Sequence, residues 1–240
     1  RVSTFVDLTL QRKPNFRQEP SEFFYPGLPA IEFWEREEFP WLAEVEARTP
    51  QIRRELEQIL QDDFRDFVPY VQRPEGVPMD QWKDLNHSRG WGALHLLWYG
   101  ERVEKNAGRC PVTMDLLGRV PQPHVPRRSP AAMFSALQPK TRIPPHTGVA
   151  NTRLVCHLPL ILPEGCGFRV GNETRHWREG TAWVVDDTME HEAWNNSDQP
   201  RVILIFDVWN PRLSRTECDL VAAVMQAIDK FNGEAPKSDL

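Results

Sequence analysis

Between Thr152 and Trp209 five apolar, β-prone segments follow one another with no room for a helix between any two of them: Thr152–Leu162, Gly167–Gly171, Thr181–Asp186, Met189–Asn195 and Arg201–Trp209. Parallel neighbours need crossovers of about a dozen residues or more. Gly or Pro turns such as Pro163-Glu164-Gly165, or short polar loops, separate most of these segments instead. The chain is therefore expected to be mainly β with flanking helices, its strands antiparallel in a sandwich, roll or barrel. With 240 residues it can bury a large single core and needs no staples. Its four cysteines show no C-x-x-C spacing, so neither a zinc cluster nor a disulfide framework is indicated. That usage suits a reducing compartment, and a cytoplasmic location is the expectation. A net charge of −5 argues against nucleic acid as the partner. No apolar run approaches the roughly 20 residues of a membrane span, and no stretch near Arg1 resembles a signal peptide.

The flanks read as support for this β segment within one catalytic domain. Residues 1–30, punctuated by Pro14, Pro20, Pro26 and Pro29, suggest an extended arm, and 31–84 a helical support. Within the support, Ile31–Arg48 reads as one amphipathic helix. Thr49 reads as the N-cap of a second, with Pro50 at its first helical position and Ile52, Leu56, Ile59 and Leu60 on one face. Trp91–Tyr99 reads as a strand, and residues 100–130 as loop with a short helix around Thr113–Leu117. After the β core, set at 85–212, the pattern Ser214-x-x-Glu217 is a capping box. It opens a helix over 213–233 whose Leu220, Val221, Val224, Met225, Ile228 and Phe231 form one apolar stripe for packing on the outer sheet, with Gly233 ending it.

The candidate chemistry lies in the β segment. His146, in Pro145-His146-Thr147-Gly148, and His191, flanked by Glu190 and Glu192, are candidate metal ligands, since imidazole suits iron. Taken alone, each is more readily read as a surface or satisfied core histidine. Strand parity adds more: with period two, Arg153, Val155 and His157 share one face, and Leu154, Cys156 and Leu158 the other. An Arg and a His on one apolar face call for partners, because an unpaired buried charge is costly. Arg201 repeats the anomaly at the head of the most apolar strand. It is either a rim residue paired with Asp198 or a guanidinium fork for a carboxylate.

Four blocks together, Pro145-His146-Thr147-Gly148-x-x-Asn151-x-Arg153, Gly171-Asn172-Glu173-Thr174-Arg175-x-Trp177, Asp186-Asp187-x-x-Glu190-His191-Glu192-x-Trp194 and Arg201…Asp207-Val208-Trp209-x-Pro211, resemble the aspartyl/asparaginyl β-hydroxylase family. The resemblance covers roughly residues 130–215 and implies a double-stranded β-helix (jelly roll, cupin-like). It implies an iron(II)- and 2-oxoglutarate-dependent dioxygenase using O₂, acting on a C–H bond such as the β-carbon of an Asp or Asn in a peptide or small molecule. His146 and His191 would hold the iron. Arg201, helped by Ser135, would pair with the distal carboxylate of 2-oxoglutarate, while His157 and Arg153 would line the pocket. The family lacks the usual carboxylate ligand. Gly148 stands at that position here, so a water would fill the site, held by Asp187 from the same strand face as His191. Val155 departs from the basic residue expected in the animal enzymes.

The remaining polar and aromatic residues are given structural readings. Glu190 and Glu192 read as exposed strand residues, and Trp177, Trp183, Trp194 and Trp209 as core aromatics, one of which could border the substrate groove. His95 reads as packing, and His87, His124 and His176 as loop residues, none with a role. Rival readings are a hydroxylase of lipid or another non-peptide substrate, a non-catalytic ligand-binding β-helix, and a cupin-like enzyme with more histidine ligands.

Overall fold

The computed structural model describes residues 2–61 and 63–233. Eleven strands are present among them: β1 (Val68–Pro69), β2 (Trp91–Trp98), β3 (Glu101–Arg102), β4 (Ala132–Leu137), β5 (Thr141–His146), β6 (Arg153–Ile161), β7 (Cys166–Val170), β8 (Glu173–Arg175), β9 (Trp183–Val185), β10 (His191–Asn195) and β11 (Arg201–Trp209). They form a seven-stranded sheet in the order β1-β2-β4-β11-β6-β9, with β3 on β2, and a four-stranded sheet in the order β5-β10-β7-β8. Every named pairing is antiparallel. Two antiparallel sheets, with the chain crossing repeatedly from one to the other, make the double-stranded β-helix that the resemblance implied.

Alternation sorts the large sheet into two faces. Leu154, Cys156, Leu158 and Leu160 of β6 and Val202, Leu204, Phe206 and Val208 of β11 point to an outer core, which helices cover. Those helices are α2 (Leu42–Ala47), α3 (Thr49–Leu60) and α5 (Pro111–Leu117), set with the short α4 (Glu104–Ala107). The opposite face of the same sheet, with Val155, Ile203 and Leu137, packs on Ile143, Phe168, Val170 and Ala193 of the small sheet. The functional residues lie in this inner layer.

Several local expectations change. The segment expected as an extended arm is helical at α1 (Val2–Thr9), with Arg1 outside the described residues. Beyond α1 it runs against the segments that precede β10 and β6, bridging Gln18 to Met189 and Phe23 to Ala150. Asn151 fastens it there: its Oδ1 accepts from Tyr25 N at 2.7 Å and its Nδ2 donates to Tyr25 O at 2.9 Å. Ile31–Arg48 is not one helix. Phe33 bridges Val185, and Pro40 keeps Phe39 out of the helical region (φ −130°, ψ 72°), so α2 starts only at Leu42. Thr49 caps nothing; Arg48 carries α2 almost directly into α3, and the Thr49 hydroxyl is buried without a partner. Residues 100–130 hold more order than a loop. Buried Glu55 of α3 accepts from the backbone N–H groups of Val112 (2.7 Å) and Thr113 (3.0 Å), capping α5 from a neighbouring helix.

The last helix, α6 (Arg215–Asn232), has the expected capping box and ends on Gly233 at φ 86°. Its stripe does not pack as one, and not on the outer sheet. Val221 and Met225 join Val125 and Ala150 in a small separate cluster, while Leu220, Val224 and Phe231 are exposed. Buried Asp229 accounts for the offset. It shares the face of Val221 and Met225 at four-residue spacing and takes the Arg128 guanidinium (Nε to Oδ1, 3.0 Å). Among the described residues, no helix is long and apolar enough to cross a membrane.

Candidate active site

The two histidines are brought together by one bulge. His191 opens β10 directly opposite His146, the last residue of β5, but the next matched pair is Ala193 with Ile143. The extra residue falls at Pro144-Pro145. β5 is the edge of its sheet, where a proline removes no ladder hydrogen bond that a neighbour needs. The bulge puts Ile143 and His146, three apart, on one face, where both line a cavity of about 210 Å³ between the sheets. The imidazole centroids lie 4.0 Å apart.

Each ring is held through Nδ1 by a backbone carbonyl two residues back: His146 by Pro144 O at 2.8 Å, His191 by Met189 O at 3.0 Å. A carbonyl can only accept, so Nδ1 carries the hydrogen and Nε2 keeps its lone pair. Burial, and then the neighbouring His191, pull the pKa of His146 down to about 3. Burial pulls His191 to about 4, against its hydrogen bond to Met189. Both rings are neutral near pH 7, as ligation requires. Trp82 meets the His146 ring edge-on at 5.1 Å, and Trp91 at 6.0 Å, stacked in turn on Tyr70.

All seven residues expected at the site (Ser135, His146, Arg153, His157, Asp187, His191 and Arg201) line this cavity. Arg201 is 1% exposed, and its Nε and Nη1 have no hydrogen-bond partner. The rim alternative fails, because Asp198 pairs with Lys140 at 2.9 Å on the surface. The guanidinium instead lies 4.8 Å over the Trp177 ring, and burial lowers its pKa to about 10, so it remains charged at neutral pH. Of the four tryptophans read as core aromatics, Trp177 is the one that borders the site. Ser135, fully buried on β4, accepts from the Trp91 indole N–H at 3.1 Å, which leaves its own hydroxyl hydrogen free to donate into the cavity. His157 is buried with Nδ1 unpartnered and its ring 5.0 Å from Phe168; burial and then Arg201 push its pKa well down.

Asp187 lies where expected in space but not on the expected element. It sits in the turn before β10, not on that strand. Asp186 Oδ1 accepts from Thr188 N at 3.0 Å and closes the turn. Its carboxylate reaches the cavity because Gly148 makes way: a Cβ built at Gly148 would fall 2.2 Å from Asp187 Oδ2. Arg153 holds Oδ2 at 2.9 Å and Asp207 Oδ1 at 3.5 Å, while Asp187 Oδ1 is buried and unpartnered. Burial alone would lower the Arg153 pKa; the carboxylates of Asp187 and Asp207 outweigh it and raise the value instead. Glu192, expected on the surface, is buried under Arg142 and Arg169 (Nε to Oε1, 2.6 Å). His95, given no role, also lines the cavity with Nδ1 unpartnered, against Trp98 at 3.9 Å, and burial takes its pKa to about 4.

Among the described residues no cluster of three His, Cys, Asp or Glu side chains could hold a metal. The groups that could hold one ion are the two neutral imidazoles, through Nε2, beside the orphaned Asp187 oxygen. That set suits a divalent iron with the rest of its positions left to small ligands.

A sequence model of the aspartyl/asparaginyl β-hydroxylase family matches residues 46–211. The chain belongs to this family. It is 36% identical over 178 residues to an ornithine lipid ester-linked acyl 2-hydroxylase of Rhizobium tropici, covering 72% of this chain and 58% of that protein. It is 32% identical over 176 residues to the human aspartyl/asparaginyl β-hydroxylase, covering 73% of this chain and 23% of that protein. The chain thus spans little more than half the length of the first relative and about a quarter of the second. A cupin domain from Schizosaccharomyces pombe aligns over 69% of this chain and 85% of its own, with 10% identity and a TM-score of 0.35.

Proposed function

We propose that this chain is an Fe(II)- and 2-oxoglutarate-dependent dioxygenase that hydroxylates an unactivated aliphatic C–H bond. The observation that carries the reading is Arg201, a buried guanidinium with two unpartnered nitrogens facing the same cavity as the histidine pair. An uncompensated buried charge is expensive, and a ligand carboxylate removes the cost by a forked, charge-assisted pair. The distal carboxylate of 2-oxoglutarate is a fitting partner, with Ser135 as a further donor.

His146 and His191 would hold the iron through Nε2. Iron held there would, with 2-oxoglutarate and O₂, supply the oxidant for C–H hydroxylation, one oxygen atom going to the product and the other to succinate with release of CO₂. The chain positions and shields. Its carbonyls at Pro144 and Met189 fix the imidazoles, and Asp187 Oδ1 can accept a hydrogen bond from a water in the position that Gly148 leaves without a side chain. Trp91, Phe168 and Trp177 wall off bulk water, which strengthens every charge interaction inside. Family membership supports a hydroxylase, and the relatives' names span acyl chains and aspartyl or asparaginyl residues. Anaerobic titration of the metal-free protein with Fe(II) and 2-oxoglutarate tests the reading. Bidentate chelation gives a visible metal-to-ligand charge-transfer band, and its absence with both components in excess would overturn the proposal.

A further inference from the structure

The apolar stripe of α6 is left half uncovered. Val221 and Met225 face the body of the protein, yet Leu220, Val224 and Phe231 are 59%, 57% and 90% exposed, and Ala227 is exposed between them. These four positions follow at spacings of four, three and four residues, so they stand in one line on the side of the helix away from the fold. A helix with apolar residues on two faces calls for cover on both. This alternation of four and three is that of a seam between two helices, where side chains of one fill the gaps of the other.

The charges beside the seam indicate what covers it. None falls within it: from Leu220 to Phe231 the charged residues are Asp229, buried against Arg128 on the inner side, and Lys230 on the flank. Asp219 lies eleven residues before Lys230, about three turns, and so on the same flank at the other end of the seam. Lys230 has no partner among the described residues, and Asp219 is met only by the exposed Arg215 of its own helix, at 3.2 Å. Two copies of α6 laid antiparallel bring like flanks together, so each Asp219 meets the partner's Lys230. The same register, with its two-fold axis level with Met225 and Gln226, sets Leu220 against the partner's Phe231 and Val224 against the partner's Ala227. A parallel pair would instead bring equal charges level with each other. One surface thus complements itself in apolar contact and in charge, as a two-fold dimer requires.

We infer that α6 is a dimerisation helix, and that the partner it fits is α6 of a second copy of this chain, laid antiparallel. The seam runs about 16 Å and covers less than the roughly 800 Å² per partner of a standard interface. The dimer should therefore be reversible, with a Kd on the order of 10 μM.

Sedimentation velocity of the full chain between about 1 and about 300 μM should show monomer giving way to dimer. Val224→Glu places a charge in the seam and should weaken pairing at least about tenfold. The thermal midpoint of the dilute variant should stay that of the parent, because position 224 is exposed in the monomer. Phe231→Ser should act in the same direction, and it decides if the glutamate variant does not fold. Lys230→Glu removes two exposed ion pairs per dimer and should weaken pairing about two- to thirtyfold. Adding Asp219→Lys to it should restore the dimer. A parent chain that stays monomeric at the highest concentration overturns the inference, as does a dimer indifferent to both Val224→Glu and Phe231→Ser. A monomer that instead floats with vesicles of anionic phospholipid assigns the face to a membrane surface and overturns it too. Failure of the double charge exchange to restore pairing overturns the antiparallel arrangement.

Discussion

Arg201 and Arg153 stand on the inner face of the same sheet, on neighbouring strands, and both line one cavity. From Arg201 to Asp207, which Arg153 contacts, β11 runs six residues, or about 20 Å. At one end the guanidinium has no carboxylate and rests on Trp177; at the other it is held by two. The same residue type on the same face thus does opposite work. An unpartnered buried charge is a standing demand for a ligand, while a saturated one is a strut.

The contrast can be broken first at its structural end. Arg153→Ala leaves Asp187 and Asp207 buried beside each other without a cation, which typically costs about 3–5 kcal/mol. Chemical denaturation should register that loss, while the affinity of the folded fraction for 2-oxoglutarate changes little. A variant as stable as the parent would show that Arg153 is no strut.

The complementary substitution sharpens the other end. Removing one partner of a buried, hydrogen-bonded charge pair costs about 2–5 kcal/mol, so Arg201→Ala should raise the 2-oxoglutarate requirement roughly 30- to several-thousand-fold. Fe(II) binding should stay nearly intact and stability should not fall, because no carboxylate is orphaned. Lys at 201 keeps the charge without the fork and should fall between. Ser135→Ala removes one donor and should weaken 2-oxoglutarate by roughly tenfold or less. Unchanged affinity in Arg201→Ala would remove the basis for the anion pocket.

The smallest effect distinguishes the two ends by pH. The histidines of the cavity are neutral when folded, with pKa values of about 3 for His146 and about 4 for His191 and His95, against about 6.5 unfolded. As pH falls from about 6.5 towards 4 the unfolded chain takes up protons that the folded one does not, so stability is lost across that window. The urea midpoint of metal-free protein should fall accordingly, and less steeply in a His95→Asn variant. A midpoint flat between pH 6.5 and 4 would contradict these environments.

Parity carried much of the site from sequence alone. The alternation Arg153, Val155, His157 on β6 and the apolar run after Arg201 on β11 put these residues inward, as found. The same rule applied to β2 would have set Trp91 and His95 on that face, but an apolar strand with one histidine reads as packing. β5 stayed hidden because Pro144-Pro145 look like a break, and only its edge position makes them tolerable. β4 is buried along its whole length, so Ala132–Leu137 carries no alternation to read. Partner choice was least legible. Asp198 stands near Arg201 in sequence yet pairs with Lys140, and Thr49 looks like a cap where two helices run together. Such choices depend on segments far apart in the chain.

Gly148 and the Asp187 carboxylate occupy one small volume between them, since any Cβ at 148 meets that carboxylate at 2.2–2.6 Å. The two positions are consequently epistatic. An acidic side chain introduced at 148 is blocked while Asp187 stands, and loss of Asp187 alone strips Arg153 of one counter-charge without supplying a metal ligand. Either single step is a loss, so in the proposed iron site a conversion from two side-chain ligands to three would have to change both residues together.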